Sequence, residues 1–157
     1  EPFAGGRPCR DVGVYYSFEN NVDVADNGRD VVDAGFAFEM DRPAQRQTSH
    51  RSAAMNLART LSEHHIPFGV FTRKNLTDLE SYQVVVLPEV MLMDPEEVEA
   101  FERYVAAGGC ILASGRTSLA GADGTRQDDF QLSKLLGVSY AGRTEEIVTY
   151  LRPESGH

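Results

Sequence analysis

The sequence predicts an α/β domain in three layers, with helices on both faces of a mainly parallel sheet of five or more strands. Three observations predict it. Val84-Val85-Val86-Leu87 is an unbroken run of strand formers without polar alternation, the pattern of a strand covered on both faces. Asp94-Pro95-Glu96-Glu97 marks a helix start soon after it. An aspartate can cap, proline suits the first helical position, and two acids meet the partial positive charge of the helix N-terminus. Gly108-Gly109 permits a left-handed exit from that helix, and Ile111-Leu112-Ala113 opens the next apolar run. Strand, helix and strand in this order make a crossover unit, and such units build parallel sheets.

Taken from the start, residues 1–10 (EPFAGGRPCR) hold two prolines and two glycines and read as an incoming arm, leaving 11–157 as one domain. The first strand spans Asp11 to Ser17, with strand formers at Val12, Val14, Tyr15 and Tyr16. Residues 19–48 are acidic and mixed in pattern, and too long for an ordinary strand-to-helix loop, so they read as an insertion. A helix follows from Ser49 to His65, with Ala54, Leu57, Ala58, Leu61 and His65 on one face and Pro67 limiting its length. The second strand is Pro67 to Thr72, joined to the third by a short segment, Asn75 to Tyr82, with room for one helical turn. In the central helix Val98, Phe101 and Val105 form a stripe able to lie on the sheet. Cys110 enters the fourth strand where a small buried apolar residue is wanted. Ala120 to Gly124 is a turn-rich loop, Asp129 to Gly137 a short helix, and Glu146 to Leu151 a final strand. This order suits a flavodoxin-like sheet with spatial order 2-1-3-4-5, in which ligands sit at the C-terminal ends of the strands.

Composition narrows the partners. A formal net charge of −9 disfavours nucleic-acid backbones and anionic membranes, which are bound through excess Lys and Arg. No apolar run approaches the ~18 residues of a membrane span. The chain opens at Glu1-Pro2 without methionine and stops at Ser155-Gly156-His157, so it reads as a piece of something longer, and the compartment stays open. Cys9 and Cys110 lack the pattern of a small secreted disulfide framework and read as free thiols.

Each chemical motif has a weakness. The stretch from Asp23 resembles a calcium loop, but Ala25 and Ala34 stand where ligands are needed, which leaves an acidic turn around Asn27-Gly28. His64 and His65 point about 100° apart on a helix and have only His50 and His157 to help them, so no metal is expected. Ser17-Phe18-Glu19-Asn20 puts an acid where a phosphate-cradling loop needs glycines, and no cofactor is expected there. Leu112-Ala113-Ser114-Gly115-Arg116 lacks the first glycine of a hydrolase elbow. Glu19 and Glu89 follow neighbouring strands and could form a catalytic acid pair, although glutamates at loop starts are commonplace. The candidate crevice is therefore Ser17, Glu19, Glu89, Ser114, Arg116 and Ser118, with no catalytic residue assigned.

Several runs carry a resemblance: Val84 to Pro88, the helix ending Tyr104-Val105-Ala106-Ala107-Gly108-Gly109, the strand through Ala113-Ser114-Gly115, and Gly124 to Val138 with its Asp-Phe-x-Leu-x-x-Leu-x-Gly-Val pattern. Over residues 50–140 the chain resembles the trimerisation domain of family-42-type β-galactosidases and related glycoside hydrolases. Those domains look like class I glutamine amidotransferases that have lost their nucleophile, and no cysteine occupies the corner after the fourth strand here. The resemblance implies an accessory domain beside a catalytic (β/α)8 barrel in the same parent chain, forming a homo-oligomer, a trimer in the family, and contacting carbohydrate by walling a neighbour's pocket. Two other readings stay open on the residues alone. One is a catalytic or small-ligand-binding domain using Glu19, Glu89, Arg116 and Ser118. The other is a protein-interaction module whose acidic face meets a basic partner.

Overall fold

The computed structural model describes residues 10–21 and 49–142. Four parallel strands form the sheet: β1 (Val12–Tyr15), β2 (Phe68–Phe71), β3 (Val84–Pro88) and β5 (Cys110–Ser114), in the order β2-β1-β3-β5. This is the first four-fifths of the expected 2-1-3-4-5 order. The incoming arm up to Cys9, the bulk of the insertion and the final strand Glu146–Leu151 lie outside the described residues. α1 (Ser49–Glu63) packs on one face and α2 (Pro95–Ala106) on the other. The segment between β2 and β3 is a 3-10 helix over Arg73–Ser81, longer than the single turn expected and broken at Asn75.

The register shows which side chains share a face. Tyr15, Phe71, Val85 and Leu87 point toward α2 and form the main core with Leu79, Tyr82, Phe101, Tyr104 and Leu132. The Tyr15 ring meets Phe71 at 5.2 Å and Phe101 edge-on at 5.4 Å. Phe101 faces the sheet as its spacing predicts, whereas Val98 and Val105 are only partly buried. The buried face of α2 is instead Glu97, Ala100, Phe101 and Tyr104. The stripe is rotated because Tyr104 has a polar anchor that valine lacks: its hydroxyl donates to the Tyr82 carbonyl at 3.1 Å. Tyr82 itself lies across the paired glycines Gly13 and Gly69, where added Cβ atoms would sit 2.8 Å and 2.5 Å from the tyrosine. Arg10 covers the ring from 5.3 Å.

On the other face one transverse row reads Val70, Val14, Val86, Leu112. The central pair is buried, while Val70 and Leu112 are 56% and 58% exposed, so α1 shields only the two middle strands. Cys110 shares this outward face and is exposed, which corrects the expectation of a small buried residue.

Both long helices end in Schellman turns, in which the residue one past the cap takes left-handed backbone and two crossed hydrogen bonds satisfy terminal carbonyls. In α2 that residue is Gly108, at φ 100°, with Gly109 N–H bonded to Tyr104 O and Gly108 N–H to Val105 O. In α1 it is His65, at φ 55°, with Ile66 N–H bonded to Leu61 O and His65 N–H to Ser62 O. The helix therefore stops at Glu63, and His65 leaves the apolar stripe for solvent.

Past the corners of β3 and β5 the two segments continue side by side as β4 (Leu92–Met93) and β6 (Ala120–Gly121), a short parallel pair in what reads from sequence as loop. α3 is only Ser133–Leu136, against the expected start at Asp129. The Asp129 carboxylate is occupied with the amides of Phe130 and Tyr140, at 2.8 and 2.7 Å, and this holds the preceding residues out of the helix.

Candidate functional site

In parallel α/β sheets the C-terminal ends of the strands carry the functional loops. Here three chain corners meet at that end: Tyr16–Asn21 after β1, Glu89–Met91 after β3, and Gly115–Leu119 after β5. The six residues expected to line the crevice fall on these corners or, for Ser114, at the strand end beside one, in three separate groups. Ser17 is buried, and its hydroxyl donates to Glu19 Oε2 at 3.2 Å while accepting from the Asn20 side-chain amide at 2.8 Å. Glu89, Ser114 and Arg116 form the second group. The Glu89 amide donates to Ser114 Oγ at 3.1 Å, and Glu89 Oε2 accepts from the Arg116 amide at 3.4 Å with the Arg116 Nε 3.9 Å away. Ser118 belongs to neither. It is fully buried, accepts from Leu132 N–H at 3.2 Å through its hydroxyl, and donates its own N–H to Val90 O at 2.8 Å.

Backbone strain concentrates here. Glu89 and Ser118 have φ of 54° and 63°, in the left-handed region where a side chain costs energy. Gly115 at φ 59° relieves the third corner, and it leaves room for Glu89: a Cβ at Gly115 would fall 1.7 Å from Glu89 Oε1. The Glu89 carboxylate thus occupies the space over the corner where an elbow nucleophile would be presented.

The residue that organises the crevice is His50, in the first turn of α1. It is 1% exposed and bonded through both ring nitrogens. Nδ1 lies 2.6 Å from the Pro88 carbonyl, and Nε2 accepts the Ser17 amide at 3.0 Å. These partners define the tautomer, with the hydrogen on Nδ1 and the lone pair on Nε2. Burial holds its pKa below the ordinary imidazole value, against the opposing pull of the Pro88 carbonyl and the Glu89 charge. Tyr16 packs on the ring at 5.2 Å and in turn meets Phe18 edge-on at 5.4 Å. A second clasp follows: Asn20 gives its side-chain N–H to Leu92 O at 2.9 Å and takes Leu92 N–H at 2.7 Å, pairing with the backbone of β4 as a strand would.

From sequence alone His50 is no more than a spare metal ligand, and no motif marks Asn20. A signal for the first was present, since His50 lies one turn before Ala54 on the apolar face of α1, so the stripe extends backward to His50 instead of forward to His65. Glu97 was read as a helix-dipole acid and is buried. It completes a capping box with Asp94, accepting the Asp94 amide at 2.7 Å, and also accepts the Tyr15 hydroxyl. Burial raises the Glu97 pKa although both hydrogen bonds oppose it, and burial followed by the Glu97 charge raises that of Tyr15. Among the described residues no cluster of His, Cys, Asp and Glu is arranged to hold a metal ion.

Comparison with known proteins places this geometry in context. The family model described as the beta-galactosidase trimerisation domain matches residues 32–150. Among solved structures, the chain is similar to beta-galactosidase from Bacillus circulans sp. alkalophilus, with TM-score 0.64 and 20% identity over 98% of this chain and 20% of that one. It is also similar to beta-galactosidase from Bifidobacterium adolescentis, with TM-score 0.59 and 18% identity over 83% of this chain and 54% of that one. A catalytic mutant of Gan42B, a GH42 beta-galactosidase from G. stearothermophilus, gives TM-score 0.56 and 18% identity over 77% of this chain and 15% of that one. The chain therefore spans about half the length of one of these proteins and a fifth or less of the others. No curated protein matches.

Proposed function

Since the chain belongs to the beta-galactosidase trimerisation domain family, we propose that it is a non-catalytic accessory domain of a multidomain glycoside hydrolase, holding subunits together beside a catalytic barrel. The observation that carries the non-catalytic part is the state of His50. A serine at the β5 corner needs an imidazole nitrogen free to take its proton. His50 is the imidazole buried at this end of the sheet, and both its nitrogens are spent on backbone groups. Ser114 Oγ is itself occupied by the Glu89 amide. Cys110 stands at the opposite end of β5, out of reach of the corner.

In this reading the crevice residues brace loops. Glu89 and Arg116 shape the surface that meets the barrel or a neighbouring subunit, and residues 11–157 form a single domain built around that surface. Light scattering on the 157-residue chain, with a parallel assay on nitrophenyl glycosides, tests the proposal. A particle larger than one chain and no turnover are expected. Hydrolysis by a clean preparation overturns the non-catalytic part, and a strictly monomeric particle overturns the assembly part.

A further inference from the structure

We propose that His50 is an acid-released latch on the crevice: the Tyr16–Asn21 corner after β1 is held in place by the neutral imidazole and let go when Nε2 takes a proton. The geometry requires the neutral form. With Nδ1–H given to Pro88 O, the only group left to receive the Ser17 amide is the Nε2 lone pair. A proton on Nε2 sets one N–H against another in a buried site, where an unpaired donor is costly. The ring remains tied to β3 through Nδ1, so the contact that fails is the one to Ser17.

Release does not stop at that amide. Ser17 supplies the hydroxyl that orients the Asn20 side chain, and Asn20 clasps Leu92, which pairs with Ala120 of β6. One protonation event is thus connected through four consecutive contacts to the β4–β6 pair on the far side of the crevice. Among the described residues, Glu89 after β3 is the charge that acts on the ring, Tyr16 at the end of β1 packs on it, and Glu19 reaches the latch only through Ser17 Oγ. Glu89 favours the cation, but burial outweighs it, so the latched corner keeps His50 neutral where an exposed histidine would already be charging. The sign follows. The latched state has the depressed pKa, so the latch is at full strength above the ordinary imidazole value of about 6.5 and weakens as pH falls through the lower value of the latched state.

Amide hydrogen exchange followed by NMR reads this directly. Protection at Ser17 and Leu92, normalised to core amides such as Val85, is expected to fall by up to about tenfold per pH unit from ~6.5 down to the midpoint at which the His50 ring resonances titrate, and to level off below it. His50→Gln keeps an acceptor for Ser17 without a titrating group and should flatten the profile, while Glu19→Gln should retain the slope. A flat profile in the native protein, an unchanged slope in His50→Gln, or a slope abolished by Glu19→Gln overturns the proposal. Should His50→Gln fail to fold, the native protein decides: a loss of Ser17 protection that begins near ~6.5 and levels off at the ring's own lower midpoint supports the latch, and a ring that titrates with no change in Ser17 protection above its midpoint refutes it.

Discussion

Beneath α2 the sheet is held by aromatic rings in mutual contact, Tyr15 on Phe71 and Phe101, with Leu79 and Leu132 filling the remainder. Under α1 the buried apolar residues are the smaller Val14, Val86, Ala54 and Leu61, joined by a histidine bonded through both nitrogens and an asparagine that acts as a strand edge. The first face gains its stability from area removed from water, a non-directional quantity that degrades in proportion to what is cut away. The second depends on a few directional bonds whose partners are stranded when one is lost. Damage to the α2 face should therefore spread through the whole domain, and damage to the α1 face should stay local to the crevice.

Phe101→Ala is the largest expected break. It removes the ring that closes the aromatic cluster and should cost about 3–5 kcal/mol in denaturant unfolding. An unchanged melting temperature would mean that the α2 face does not carry the core. Asn20→Ala should cost about 1–3 kcal/mol, because the Leu92 amide and carbonyl lose their partner together. If the comparison holds, hydrogen exchange will show that loss confined to the crevice loops and β4, with Val85 unaffected.

Glu97 is the exception on the apolar side, and Glu97→Gln tests it by slope instead of size. Its folded pKa is raised, so the native carboxyl favours stability at acid pH, and that contribution is lost as pH rises through the folded value. The glutamine variant keeps an acceptor for the Asp94 amide and should remove this component from a plot of stability against pH; an identical slope would place the titration elsewhere. The smallest effect belongs to the surface. His65→Gly relieves left-handed backbone at the end of α1 and should stabilise by about 0.5 kcal/mol, the steric relief being partly offset by added unfolded-state freedom. A loss of stability would indicate that the imidazole contributes to the cap.

Legibility in the sequence divides along the same line. The element order from Val84 to Ala113 is legible because its signals are local: proline and acids at the start, paired glycines at the stop, unbroken apolar runs at both strands. His50 and Asn20 are not, since their partners come from β1, β3 and β4 and no spacing within one element encodes them. Cys110 was misplaced for a related reason. Its burial depends on what covers the outer strand, and α1 is too narrow to reach it. The β4–β6 pair is two residues long on each side, below the length at which alternation becomes a signal. The candidate crevice residues lie at the C-terminal ends of the strands, and their division into three bonded groups comes from backbone angles at Glu89, Gly115 and Ser118 that are visible only in three dimensions.

The tyrosine lying over Gly13 and Gly69 has a consequence for how the sheet is assembled. A slide of β2 by one position would bring Phe68 or Val70 alongside Gly13, and a slide by two would bring Pro67 or Phe71; in every case a bulky residue takes the place of hydrogen under the ring. Tyr82 can settle only on the true alignment, so it works as a gauge that rejects misthreaded neighbours while the domain is forming.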